Sequence, residues 1–283
     1  MRTIDQHRYN GYFNDSFTEL NTSSEIKEIQ QFLIQKGYNL GRWGADGDMG
    51  RVTKQAIYDY IKSQQGGSQQ PNYNTPTTPT TPASTANLVR EFKSIFNRKN
   101  YVFQDDELRL NIIGIRNLDA NADLFDDELV VIWKENGAYQ VKRYPFTTDP
   151  GKGYLQSVML NPKGTAILKA GQYRNTYKLA LHRSKYIALA QRNGPVTVYR
   201  DNNKNGSLDF MVGNQDTGYF GINIHKAGTN STRVNKSSAG CQVFKRAADF
   251  NELISLCKKS ERKYGAGTKF TYTLLEKRGV SIL

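Results

Sequence analysis

Two side chains in the stretch GINIHKAGTNSTRVNKSSAGCQVF, residues 221–244, are of types that can carry out acyl transfer together: His225 at the end of an apolar run, and Cys241 after Ser-Ser-Ala-Gly. A thiol becomes a strong nucleophile when it loses its proton, and an imidazole within reach can take that proton and later return it to a leaving amine. Ala239 and Gly240 precede the cysteine, leaving room for a substrate where a core cysteine would have aliphatic neighbours. Gly240 permits a turn that aims its own amide and that of Cys241 at a developing oxyanion. His182, ending YKLALH, offers a second imidazole, or serves as a structural residue at a strand end. Arg233 and Lys236 lie between base and nucleophile, where they bind substrate carboxylates or are simply solvated. The other cysteine, Cys257, shares a helical face with Leu253 and Ile254 and reads as core; His7 sits in a polar segment with no partner in sequence.

A second pattern, RDNNKNGSLDF at 200–210, has the oxygen-bearing residues of a cation loop. Asp201, Asn203, Asn205, Gly206 and Asp209 match the first nine positions of an EF-hand-like calcium loop, but Val212 stands where the bidentate Glu is needed. A structural calcium would therefore draw a ligand from elsewhere, such as Asp216; the simpler alternative is an Asn-Gly turn between strands. No Cys/His spacing supports zinc, and the cysteine chemistry requires no cofactor.

These residues need rigid elements to hold them. From Leu88 onward the apolar pattern is mostly of period two, in LNIIGI, ELVVIWK, YQVKRYPF, YKLALH, YIALAQ, PVTVYR, YFGINIH and KFTYTLLE, with Asn-Gly in KENGAY as a hairpin turn. A helix bearing Leu88, Phe92, Ile95 and Phe96 precedes the strands, and one bearing Phe250, Leu253, Ile254 and Cys257 interrupts them. The expected fold of 88–283 is mainly β, a sandwich or barrel with one or two helices packed beside it. Residues 64–87 hold four of the eight prolines and little charge or aliphatic content, so they read as a semi-stiff Thr/Pro linker. In front of it, residues 1–63 read as a small all-α module, with a Thr22/Glu25 capping box, Ile26, Ile29 and Leu33 at helical spacing, and a later helix carrying Ala56, Ile57, Tyr60 and Ile61.

The order of residues in this front module, Ile26, Ile29-Gln30, Leu33, Gly37-Tyr38, Asp46-Gly47, Gly50, Thr53 and Ala56, resembles the small helical peptidoglycan-binding domain found beside many wall enzymes. The resemblance implies a wall-binding role, with Tyr38, Trp43, Asp46 and Thr53 as the residues to examine.

In the rear module GTAILKAGQY, FGINIHKAG and SSAGCQVF, followed by a helix, together resemble the catalytic domain of the L,D-transpeptidases. The resemblance implies a nucleophile at Cys241, a general base at His225, the signature Ser/Thr at Ser238 and the preceding glycine at Gly240, acting through a thioester acyl-enzyme on peptidoglycan stem peptides. Ala239 stands where that signature has histidine, and Val243 where Asn or Arg is common.

Composition narrows the setting. With 39 Lys and Arg against 26 Asp and Glu the formal charge is +13, which suits an anionic partner such as wall polymer, while no nucleic-acid motif accompanies the basic clusters. Two cysteines exclude a disulfide framework. The amino-terminal MRTIDQHRYNGYFNDSFTEL lacks the apolar core of a signal peptide, and no run approaches the roughly 18 apolar residues of a membrane span. The expectation is thus a chain made in the cytoplasm that acts on bacterial peptidoglycan after release at lysis, as an endolysin does, or after delivery by an injection machine. The alternative is a wall-binding or virion structural protein that keeps the fold without turnover.

Overall fold

Along the first two strands of the larger unit every residue is buried or nearly so, because alternate side chains enter two different cores. In β1 (Asn111–Asn117) and β2 (Asp127–Glu135), Ile112, Leu129, Val131 and Trp133 join one apolar cluster while Ile113, Ile115, Val130 and Ile132 join another. Strand geometry sends neighbours to opposite faces, so a strand covered on both sides reads as a continuous apolar run. The second cluster is closed by α2 (Pro82–Arg98), through Val89, Phe92, Ile95 and Phe96.

The structure is a computed structural model and describes residues 23–38, 40, 44–47, 53, 56, 57, 60, 82–118, 122–157, 160–210, 213–278 and 281–282. Most of the segment read as linker, together with His7, Trp43 and Val212, lies outside the described residues. The chain divides into two compact units, one built on Met1–Thr75 and one on Pro76–Glu276.

In the first unit α1 (Ser23–Gln35) presents Ile26, Ile29 and Leu33 to Leu40, Ala56 and Ile57. The buried Gln30 side chain ties the later turn to this helix: its amide donates to Asp46 Oδ1 (2.8 Å) and Thr53 Oγ1 (2.9 Å), and its oxygen accepts from Gly47 N–H (2.7 Å).

The second unit is mainly β. The other strands of its large sheet include β3 (Ala138–Thr147), β5 (Gly171–His182), β6 (Tyr186–Gln191), β9 (Ile224–Lys226), β10 (Gln242–Phe244) and β11 (Phe270–Arg278). They follow the order β1-β2-β3-β10-β9-β6-β5-β11, and β11 pairs back onto β1, so eight strands close into a barrel. Closure removes the unpaired edges an open sheet would carry. The β2–β3 hairpin turns at Asn136-Gly137, both at positive φ (53° and 77°), the conformation the Asn-Gly pair favours. A three-stranded sheet of β4 (Thr165–Leu168), β7 (Val196–Asp201) and β8 (Gln215–Gly218), all antiparallel, stands beside the barrel.

Helix α3 (Ala247–Tyr264) buries Phe250, Leu253, Ile254 and Cys257 in the main cluster, each apolar side chain contributing about 1.5–3 kcal/mol. Cys257 is therefore core, as its helical spacing indicated. α2 begins at Pro82, inside the segment read as linker; proline is suited to a first helical turn, where its missing N–H is not needed.

Arg116, at the end of β1, is wholly buried. Its guanidinium pairs with Asp149 (2.9 Å), donates to Thr148 Oγ1 and the Thr148 carbonyl, and reaches the Leu168 carbonyl (2.8 Å) at the end of β4. It thereby pins the small sheet to the barrel.

Candidate functional site

The loop that carries Cys241 is fixed by its own short side chains. Ser238 is fully buried; its hydroxyl donates to the Cys241 carbonyl (2.7 Å) and accepts from Gly240 N–H (3.1 Å), while its carbonyl accepts from Gly151 N–H (2.9 Å). Gly240 adopts φ +117°, and a Cβ there would lie 2.5 Å from the Ala166 carbonyl, so only glycine fits. This corrects one expectation: the Gly240 amide is taken by Ser238 and does not face an oxyanion. Among the described residues the Cys241 amide has no protein acceptor, and it is the donor left for that role.

Immediately after the cysteine, Gln242 locks the strand. Its amide donates to the carbonyls of Thr148 (3.1 Å) and Gly240 (3.2 Å), and its oxygen accepts from the Tyr272 hydroxyl (2.7 Å). β10 then runs parallel to β9, Gln242 opposite Ile224 and Val243 opposite His225, with the Gln242 N–H bonded to the Asn223 carbonyl (2.9 Å). Ile224 and Phe244 point into the main core, so His225 and Cys241 belong to the opposite face. The thiol of Cys241 donates to the Gly221 carbonyl (3.4 Å) and, among the described residues, bonds to neither imidazole.

Two imidazoles meet on that face. His182, from the end of β5, stacks on His225 with ring centroids 4.2 Å apart and planes 25° from parallel. Their tautomers follow from their partners. His225 Nδ1 is 2.9 Å from the Lys226 carbonyl, which can only accept, so Nδ1 carries the proton and Nε2 the lone pair. Asn223 Oδ1 accepts from Gln191 N–H (2.9 Å), which orients the amide so that Nδ2 donates to His182 Nδ1 (3.0 Å). His182 therefore carries its proton on Nε2. One ring thus carries a lone pair at Nε2 and the other an N–H.

Burial sets the protonation states. It lowers His225, helped by the neighbouring His182, to about 4, and lowers His182 with Arg183 and Arg192 adding to the effect. Both rings are neutral near pH 7. Burial also pushes the Cys241 thiol up, against the opposing effects of the Asn223 main-chain bond and Arg183. Cys241 thus rests as a neutral thiol and both imidazoles as neutral rings.

Cys241, His182 and Asn223 line a cleft of about 530 Å³ together with Ala239 and Ser237. Arg183, Arg192 and Arg200 also line it, and Leu160 and Tyr219, exposed to 67% and 63%, supply apolar surface. Arg200 is committed to Asp216 (3.2 Å) and the Gly164 carbonyl; Arg183 and Arg192 are exposed. Arg233 and Lys236 are exposed on the connecting loop and are not part of the cleft lining, which fits the solvated alternative of the two readings given for them. Arg183, Arg192 and Arg200 precede His225 in sequence, on the β5–β6 turn, just after β6 and in β7, and only the folding of those strands brings them near the cysteine.

In the first unit Tyr38 is partly buried against Tyr60, Asp46 is exposed while bonded to Gln30, and Thr53 is buried and bonded to the same amide. Thr53 thus holds the fold of the module. In the loop after β7, Asp201 accepts from Asp209 N–H (3.1 Å), and the Asn203 amide lies 3.4 Å from Asp209 Oδ2. Asp216 pairs with Arg200 and Lys163 and so does not supply the missing cation ligand. Among the described residues no three His, Cys, Asp or Glu side chains are grouped to hold a metal, and no helix is long and apolar enough to cross a membrane.

Comparison with known proteins gives one short match: the chain is 43% identical over 60 residues to the type VI secretion system spike protein VgrG3 of Vibrio cholerae serotype O1, a stretch covering 21% of this chain and 6% of that protein. No protein-family profile matches the chain. No solved structure matches it either.

Proposed function

We propose that the protein is a peptidoglycan-active cysteine enzyme of the L,D-transpeptidase type, with an amino-terminal helical module that binds the wall. The observation that carries this reading is the hydrogen bond from His225 Nδ1 to the Lys226 carbonyl, which leaves a neutral imidazole with its Nε2 lone pair on the strand face shared with Cys241. In the proposed reaction Cys241 Sγ attacks a stem-peptide carbonyl and its proton passes to His225 Nε2. The tetrahedral oxyanion is met by the Cys241 amide and by the His182 Nε2–H. Collapse forms the thioester and expels an amine that takes the proton from His225. Water or an acceptor amine then attacks the thioester, giving hydrolysis in the first case and a new peptide bond in the second. Exposed Arg183 and Arg192 in the cleft support a substrate bearing carboxylates.

The short match to a secretion-system spike protein supports delivery of the chain to the wall by such a machine. A second reading, a wall-binding protein without turnover, is favoured by the neutral thiol that bonds to Gly221 and to no imidazole. Incubation of the full chain and Cys241→Ala with disaccharide tetrapeptides and cross-linked dimers, read by mass spectrometry, decides between them. Shortened peptides or split dimers absent in the variant mean a hydrolase, new dimers or exchanged terminal residues mean a transpeptidase, and identical products from both proteins mean the binding protein.

A further inference from the structure

The loop joining β7 to β8 carries oxygen ligands that neither the barrel nor the cysteine site uses. We propose that it is a calcium site, formed by Asp201, Asn203, Asn205 and Asp209 with the Ser207 carbonyl in the seventh place of the pattern. The observation beyond the pattern is Asp201 itself. Its side chain is 2% exposed, one carboxylate oxygen accepts the Asp209 N–H that closes the loop, and the other, Oδ1, is buried with no hydrogen-bond partner. A buried carboxylate oxygen without a partner is costly, and a cation inside the loop removes that cost.

The rest of the loop is consistent with this occupant. Gly206 sits at φ +80° in the sixth place, where the pattern needs its sharp turn, and a Cβ there would meet the Gln156 side chain at 2.7 Å. Two carboxylates balance one divalent charge, and their low number with neutral Asn ligands favours calcium, which accepts many oxygens in flexible geometry, over magnesium with its strict octahedron. The absence of an acidic residue at the twelfth place, Val212, and the commitment of Asp216 to Arg200 and Lys163 leave water to complete the shell, so binding is weak, with Kd on the order of 0.1–1 mM. Asp201 ends β7 directly after Arg200, a residue of the cleft, so an ion here stiffens one wall of the site.

The test uses the full chain, stripped with EDTA and titrated with calcium by calorimetry and by thermal unfolding. A saturable heat and a rise in Tm of about 3–6 °C at ten times Kd are expected, with less than about a third of that rise from equal magnesium. Asn205→Ala and Asp209→Ala should abolish both signals; if Asp209→Ala does not fold, the exposed Asn205 carries the reading alone. No heat and no shift up to about 10 mM calcium, an equal response to magnesium, or a full response in Asn205→Ala would each overturn the site.

Discussion

His182 and His225, from strands β5 and β9, lie face to face with ring centroids 4.2 Å apart, each held in a different tautomer by a different partner. Two stacked rings cannot both be charged at low cost, and burial disfavours either charge.

Acid should therefore weaken the fold through His225. Its folded value of about 4 lies below the ordinary 6.5, so the unfolded chain binds the proton more readily; the stability it contributes is full above 6.5 and is lost as pH falls toward 4. The difference amounts to about 3 kcal/mol. The buried Asp127 and Asp149 are shifted upward and act in the opposite sense over part of this range, so the measurement is a comparison. Denaturant unfolding of the native chain and of His225→Asn at pH 7.5 and 4.5 should show the native chain losing about 2–3 kcal/mol more than the variant. Equal losses would mean that the ring is not held neutral.

Thiol reactivity should reflect the resting state of Cys241. With its thiol raised above the ordinary 9.0, alkylation by iodoacetamide should climb about tenfold per pH unit through pH 9, and Cys257, with no exposure, should stay unlabelled in the native chain. A plateau beginning near pH 7 would reveal a preformed thiolate.

Gly240→Ala and Gly137→Ala separate backbone strain from steric conflict. Both glycines have positive φ, but nothing lies within 4 Å of a Cβ at Gly137, while at Gly240 the Ala166 carbonyl lies at 2.5 Å. Gly137→Ala should cost about 1–2 kcal/mol in chemical denaturation. Gly240→Ala should cost more and displace the nucleophile, with loss of any Cys241-dependent turnover.

Removing Arg116 should unfold more than a surface charge would. Arg116→Ala leaves Asp149 buried without its cation, a cost of about 3–5 kcal/mol by thermal or denaturant unfolding. Arg116→Met with Asp149→Asn should recover part of it; a loss below about 1 kcal/mol in the single variant would mean that water replaces the pair.

How far these features were legible in the chain depends on whether their cause is local. The Asn136-Gly137 hairpin and the apolar face of α3 are written in adjacent residues, and both are readable. β4 and β10, four and three residues long, carry too little periodicity to stand out, and of YFGINIH only the last two residues lie in β9, because Gln191 takes the amides of Phe220 and Ile222 instead. His225 and Cys241 stand out in the sequence by residue type and order. Asn223, which sets the His182 tautomer, and the arginines of the cleft do not, since their roles arise from pairings between distant strands. The burial of Arg116 is likewise invisible until Thr148, Asp149 and Leu168 converge on it.

Tyr272 belongs to β11, the strand that completes the barrel against β1, and it packs so closely on Gly114 of β1 that a Cβ there would fall 1.9 Å from its hydroxyl oxygen. The same hydroxyl holds Gln242 next to Cys241. The loop carrying Cys241 is thus finished only when the last strand of the barrel has docked beside the first, a pairing of residues far apart in sequence, which is slow to form. A chain in which β11 has not yet paired with β1 lacks this support, so the geometry around Cys241 is set by completion of the barrel and not by the local sequence that carries the cysteine.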